Sequence, residues 1–160
     1  EAGLAAGAAW AAALPTEQFE VVGGWAVDGS TTAQMAVGAA SVPAADVVVI
    51  MGGTNDLAAG LSASEIVVGV DAIATAARAA DVMLTAIAPL DWAPGDAVAL
   101  NDALAAHANE RGWRFVDPWA LMRTADGSWV SGYTIDGVHA TDEGYAAAGA
   151  VIAEALGVAR

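Results

Sequence analysis

The sequence predicts one α/β domain built on a parallel sheet. Three observations lead there. Helix-like and strand-like segments alternate along the chain with short connections. Val47-Val48-Val49-Ile50 is an unbroken β-branched run without polar alternation, the pattern of a strand covered on both faces. Ser62-Ala63-Ser64-Glu65 fits a capping box, and the helix behind it places Ile66, Val70, Ile73 and Ala77 on one stripe.

In chain order, residues 2–14 read as an Ala-rich helix stopped by Pro15. Residues 19–23 (Phe-Glu-Val-Val-Gly) read as a strand and 31–38 as a short helix. A strand over 46–51 precedes the helix capped by Ser62. Residues 82–88 form the next strand, closed by Pro89. A long helix over 94–110 ends at Gly112, and 113–116 is a short strand. Thr141 can cap a last helix running to about residue 156. No repeat, linker or composition break divides the chain, so residues 1–160 are expected to form a single domain.

The chain is 57% apolar, but much of that is alanine, which buries little area per residue. The core must rest on Val, Ile, Leu, Met and Trp. A formal net charge of −14 repels phosphate backbones and anionic headgroups, which argues against nucleic acid and membrane surfaces as partners. The longest uncharged apolar run, residues 2–14, is shorter than the ~18 residues of a bilayer span. With no cysteine, disulfide and thiolate chemistry are excluded. The acidity suits a secreted protein as well as a cytoplasmic one from a GC-rich bacterium, and the compartment stays open.

Two loops carry residue types suited to acyl transfer. Asp136-Gly137-Val138-His139 places a carboxylate three residues before a histidine, able to hold one ring nitrogen while the other faces a nucleophile. The alternative is a turn aspartate beside an exposed histidine. Gly52-Gly53-Thr54-Asn55-Asp56 follows the 46–51 strand, and the Asn55 amide offers uncharged donors to a developing oxyanion. A plain strand-to-loop turn is the alternative; a phosphate cradle is weaker, because the chain has no lysine. A third loop, Asp28-Gly29-Ser30-Thr31-Thr32, opens a helix. The Gly29 N–H could face an oxyanion there, or Ser30 or Thr31 could simply cap the helix.

Taken in order, Gly-x-Thr-Thr, then a Val-rich strand ending Gly-Gly-Thr-Asn-Asp, then Asp-Gly-Val-His-Ala-Thr before a helix containing Gly144-Tyr145 resembles the SGNH (GDSL-type) hydrolase family. Asp117-Pro118-Trp119 is similar to its late region, and the likeness covers essentially the whole chain. The resemblance implies a three-layer α/β/α, flavodoxin-like sheet, no cofactor, and a serine hydrolase of the esterase, lipase or thioesterase type acting on small neutral acyl esters. It implies that His139 is the base, Asp136 its orienting acid, and Gly29 N–H and the Asn55 amide the oxyanion donors. Gly53 and Asp56 support the motif, Asp56 as a structural residue.

One block departs. The family's Gly-Asp-Ser, with the nucleophile, ends its first strand, and no such motif stands in this chain. By family order that strand would lie just before Glu1, so the chain is expected to be the C-terminal part of a longer polypeptide, with an N-terminal segment completing the sheet. Asp28-Gly29-Ser30 has the same residue types in another order, which makes Ser30 the internal candidate nucleophile, although its spacing to Asn55 suits the second block. A relative that lost the serine, acting in binding or structure, is the main rival; a nucleotide-binding domain using Gly52-Gly53 is a weaker one. His107 is expected to be a solvated or partly packed helix residue, and two histidines with no cysteine make a zinc site improbable. Trp92 and Trp129 lie on loops able to border an acyl pocket.

Overall fold

A computed structural model describes residues 10–157. The expected helix over 2–14 lies mostly outside the described residues; within them, Trp10–Ala13 forms a 3₁₀ turn. Among the described residues the sheet has three parallel strands, β1 (Val47–Ile50), β2 (Asp81–Thr85) and β3 (Arg114–Val116), in the order β1-β2-β3. Val48 faces Val82 in the first ladder, and Leu84 faces Phe115 in the second.

Helices α1 (Thr32–Ala39), α2 (Thr54–Ala58), α3 (Ala63–Ala77), α4 (Pro94–Arg111) and α5 (Asp142–Gly157) fill the connections. The capping box forms as the sequence requires: Ser62 N–H donates to Glu65 Oε2 at 2.8 Å, and Ser62 Oγ accepts from Glu65 N–H at 3.4 Å. The stripe of Ile66, Val70, Ile73 and Ala77 is buried. Pro94 opens α4 at its first position, and Gly112 closes it in the left-handed conformation. Thr141 Oγ1 accepts from Gly144 N–H at 3.3 Å at the start of α5.

Apolar residues gather in two clusters. The first joins α1, α3 and α4 to the sheet through Ile50, Ile66, Val70, Leu84, Leu100 and Leu104. The second holds Trp119, Met122, Trp129 and Ala148 of α5, with Trp10, Tyr133 and Tyr145 packed on it. Layers on both sides of a parallel sheet explain why Val47-Val48-Val49-Ile50 shows no alternation.

Two expectations need correction. Residues 19–23 are not a strand. Val21 and Val22 are 48% and 44% exposed, and no described strand offers a ladder to that backbone. The segment beyond it nevertheless stays against the domain, with the Trp25 ring on Gly38 of α1. The strand expected over 82–88 ends at Thr85. After Ala86 N–H reaches Val116 O, a buried side chain takes over the strand's role: Asn101 Oδ1 accepts from Ile87 N–H at 2.8 Å, and Asn101 Nδ2 donates to Ile87 O at 3.1 Å. His107 is partly packed. Its Nε2 lies 3.0 Å from Asp71 Oδ1, and its ring stands edge-on to Trp113, bracing α3 against α4.

Candidate active site

Two of the loops singled out in the sequence, 28–32 and 52–56, are bonded to each other beyond the carboxyl end of β1, where open α/β sheets form their sites, and the 136–139 loop is bonded to Asp91 on the segment leaving β2. Gly52-Gly53 leaves β1, and the next residues are not a loop but the first turn of α2, so Asn55 and Asp56 stand at a helix start. Gly53 adopts φ +126, and a Cβ there would lie 2.9 Å from Leu100 Cδ2, so only glycine fits the corner.

Asp56 is fully buried and accepts three hydrogen bonds from Thr32, itself buried at the start of α1. Thr32 N–H reaches Oδ1 at 3.1 Å and Oδ2 at 2.9 Å, and Thr32 Oγ1 donates to Oδ1 at 2.6 Å. A carboxylate against the first N–H groups of a helix also meets the positive end of its dipole. Beside it, Asn55 Nδ2 donates to Ser30 O at 3.0 Å. One amide proton of Asn55 is thereby used, and among the described residues no hydrogen bond engages the second. These bonds bind the Asp28-to-Thr32 turn to the start of α2. Gly29 N–H has no hydrogen-bond partner among the described residues. Capping of α1 falls to Thr31, whose N–H is taken by Gln34 Oε1 at 2.9 Å.

The third loop is exposed. Asp136 Oδ2 lies 2.8 Å from His139 Nδ1, with side chains 51% and 65% exposed. Asp136 Oδ1 accepts from Val138 N–H at 3.0 Å and from His139 N–H at 2.8 Å. The His139 backbone bond, then its ring bond, then the Val138 bond hold the Asp136 carboxyl down at about 2, against an ordinary 3.8. A carboxylate only accepts, so in the neutral imidazole the proton sits on Nδ1, facing Asp136, and the lone pair on Nε2. That is the tautomer a general base needs.

Burial raises the Tyr145 hydroxyl, against a lowering bond to the Ala140 backbone, and the negative charges of Asp136 and Asp28 add to the rise. Ser30 carries the carbonyl that anchors Asn55, and among the described residues no hydrogen bond joins it to His139. Trp129 is largely buried. It is 6% exposed, packed edge-on to Trp119 at 5.7 Å in the second cluster, whereas Trp92 is 52% exposed. Sequence reading overlooked Asp91, whose N–H donates to Gly137 O and whose Oδ1 accepts from Trp129 N–H, each at 2.9 Å. No short motif marks an aspartate whose partners lie on distant segments. Among the described residues no group of three or more His, Cys, Asp or Glu could hold a metal ion, and no helix is long and apolar enough to cross a membrane.

Residues 2–147 match the GDSL-like Lipase/Acylhydrolase family. The chain is similar to a GDSL-like lipase from Bacteroides thetaiotaomicron, at 28% identity and a TM-score of 0.70, covering 80% of this chain and 71% of that one. It is similar in fold to the native aryl esterase of M. smegmatis, at 20% identity and a TM-score of 0.71, over 96% and 86% of the two chains. A carbohydrate esterase of family 3 from Talaromyces cellulolyticus shares the fold at 24% identity and a TM-score of 0.59, over 80% and 67%. No curated protein matched. The chain belongs to the GDSL-like lipase/acylhydrolase family and is by that resemblance an ester hydrolase.

Proposed function

We propose that this chain supplies the acid–base pair and the oxyanion donors of a serine esterase acting on small, neutral carboxylic esters. The observation that carries the reading is the 2.8 Å contact between Asp136 Oδ2 and His139 Nδ1, on a turn that leaves Nε2 as the basic nitrogen. In the proposed cycle, Nε2 takes the serine proton as Oγ attacks the ester carbonyl carbon. The oxyanion accepts from Gly29 N–H and from the second Asn55 amide proton. Collapse breaks the ester C–O bond, and Nε2–H gives its proton to the leaving alkoxide oxygen. Water, deprotonated by Nε2, then attacks the acyl-serine carbonyl, the acyl C–Oγ bond breaks, and Nε2–H returns its proton to Oγ as the acid leaves. A surface carrying −14 charges favours neutral over anionic esters.

The serine is proposed to arrive on a Gly-Asp-Ser strand that pairs along the open edge of β1. Two features support this. Among the described residues β1 pairs only with β2, and Val21, Val22 and Val27 stand exposed in the irregular segment preceding α1. Intact mass before and after a fluorophosphonate, with and without a synthetic Gly-Asp-Ser strand peptide, tests the proposal. An adduct and ester turnover only with the peptide support it. An adduct on the chain alone moves the nucleophile inside, with Ser30 first to be mapped. A folded chain with no adduct and no turnover in either mixture is a non-catalytic relative, and the proposal falls.

A further inference from the structure

We infer that Asp91, on the segment leaving β2, is the positioning residue that holds the Asp136/His139 turn in place. The inference builds on the role proposed for that pair. Most bonds of the turn are its own. Asp136 takes Val138 N–H, His139 N–H and the ring. Thr134 Oγ1 donates to His139 O and accepts from Gly137 N–H, and Ile135 N–H reaches His139 O. Such local bonds fix the shape of the turn but not its place in the molecule. Among the described residues, one hydrogen bond ties positions 136–139 to a segment outside 132–141: Asp91 N–H to Gly137 O, 2.9 Å.

The Asp91 side chain reinforces that bond from two directions. Its Oδ1 accepts from Trp129 N–H at 2.9 Å, and Trp129 is packed in the second cluster. Its side chain also lies close to Gly137. A Cβ on Gly137 would stand 3.0 Å from Asp91 Oδ2 and 3.1 Å from Asp91 Cβ, and Gly137 has φ +83. Glycine is favoured there by its left-handed backbone, and a Cβ would press on the Asp91 side chain. Asp91 itself follows fully buried Leu90, and Ile87 before it is gripped by Asn101 of α4. A continuous path runs from the buried face of α4 through Ile87 and Asp91 to the turn that carries His139.

Amide exchange, read by NMR on the full chain, tests this without any need for turnover. Asp91→Ala removes the acceptor for Trp129 and the wall against Gly137; Asp91→Asn keeps an oxygen that can accept. We expect exchange at Val138 and His139 to accelerate at least about tenfold in Asp91→Ala, with the Leu84 and Leu104 amides unchanged. Asp91→Asn should stay near the parent. If Asp91→Ala does not fold, Asp91→Ser takes its place with the same expectation. Uniform acceleration of all amides, unchanged Val138 and His139, or an Asp91→Asn that behaves like Asp91→Ala would overturn the role. In the hydrolytically active protein, Asp91→Ala should lower kcat while KM holds, and Asp91→Asn should restore kcat. Selective exchange in a protein that never hydrolyses an ester would sink the proposed function and leave the positioning of the turn standing.

Discussion

Asp56 and Asp136 each accept three hydrogen bonds, and they do opposite things with them. Asp56 is fully buried, and its bonds all go to Thr32, 24 positions earlier in the chain. It joins α1 to α2. Asp136 is half exposed, and its bonds all go to residues two and three ahead. It shapes one turn and holds one ring. A buried carboxylate spent on a distant backbone is a fastener, because removing it strands a donor in a dry interior. An exposed carboxylate spent on its own turn leaves the fold almost unaffected and holds the ring of its neighbour.

That contrast can be broken by substitution. In the hydrolytically active protein, His139→Ala should lower turnover by about 10²–10⁴-fold, the range of a general base, with the thermal midpoint nearly unmoved. Asn55→Ala should cost about 10²–10³-fold in kcat, and a loss of only a few-fold would remove Asn55 from the oxyanion role. Asp56→Ala should act on the other side of the comparison. It leaves the buried Thr32 N–H unpaired, at about 1–3 kcal/mol of stability by denaturant titration. A full-strength loss of activity from Asp56→Ala with unchanged stability would erase the distinction.

The smallest effect concerns acid. Asp136 titrates at about 2 when folded, below its ordinary 3.8. A lowered folded value means that its bonds stabilise the protein above pH 3.8 and that the contribution fades as pH falls toward 2. Thermal midpoints measured across that window should show a shallower decline in Asp136→Asn than in the parent. Equal slopes would mean that the turn does not hold its carboxylate as described.

Much of this was legible in the residues themselves. The Ser62 cap, the Ile66 stripe, Pro94 and Gly112 are local signals, written within a turn or two of what they specify. So were the pairs that matter in the exposed turn, since Asp136 and His139 need only their own spacing. What the residues did not disclose is long-range. The strand pattern at 19–23 is sound locally, but a strand exists only beside a partner, and none among the described residues stands there. The end of β2 at Thr85 depends on Asn101, an unremarkable helix residue until it meets Ile87. Trp129 is buried rather than at a rim because Trp119 and Tyr145 build a cluster that no periodicity records.

The side of β1 that pairs with no strand among the described residues has a consequence for handling the protein. Val47-Val48-Val49-Ile50 is an apolar, β-branched run, and an unpaired edge of such a run templates self-assembly into cross-β stacks. The −14 charge works as a colloidal brake, keeping copies apart. Salt shortens that repulsion to roughly 10 Å at 0.1 M, and acidification removes it as the carboxylates protonate. The concentrated chain should therefore keep longest in dilute buffer at neutral pH, and should turn fibrous first where its charge is spent.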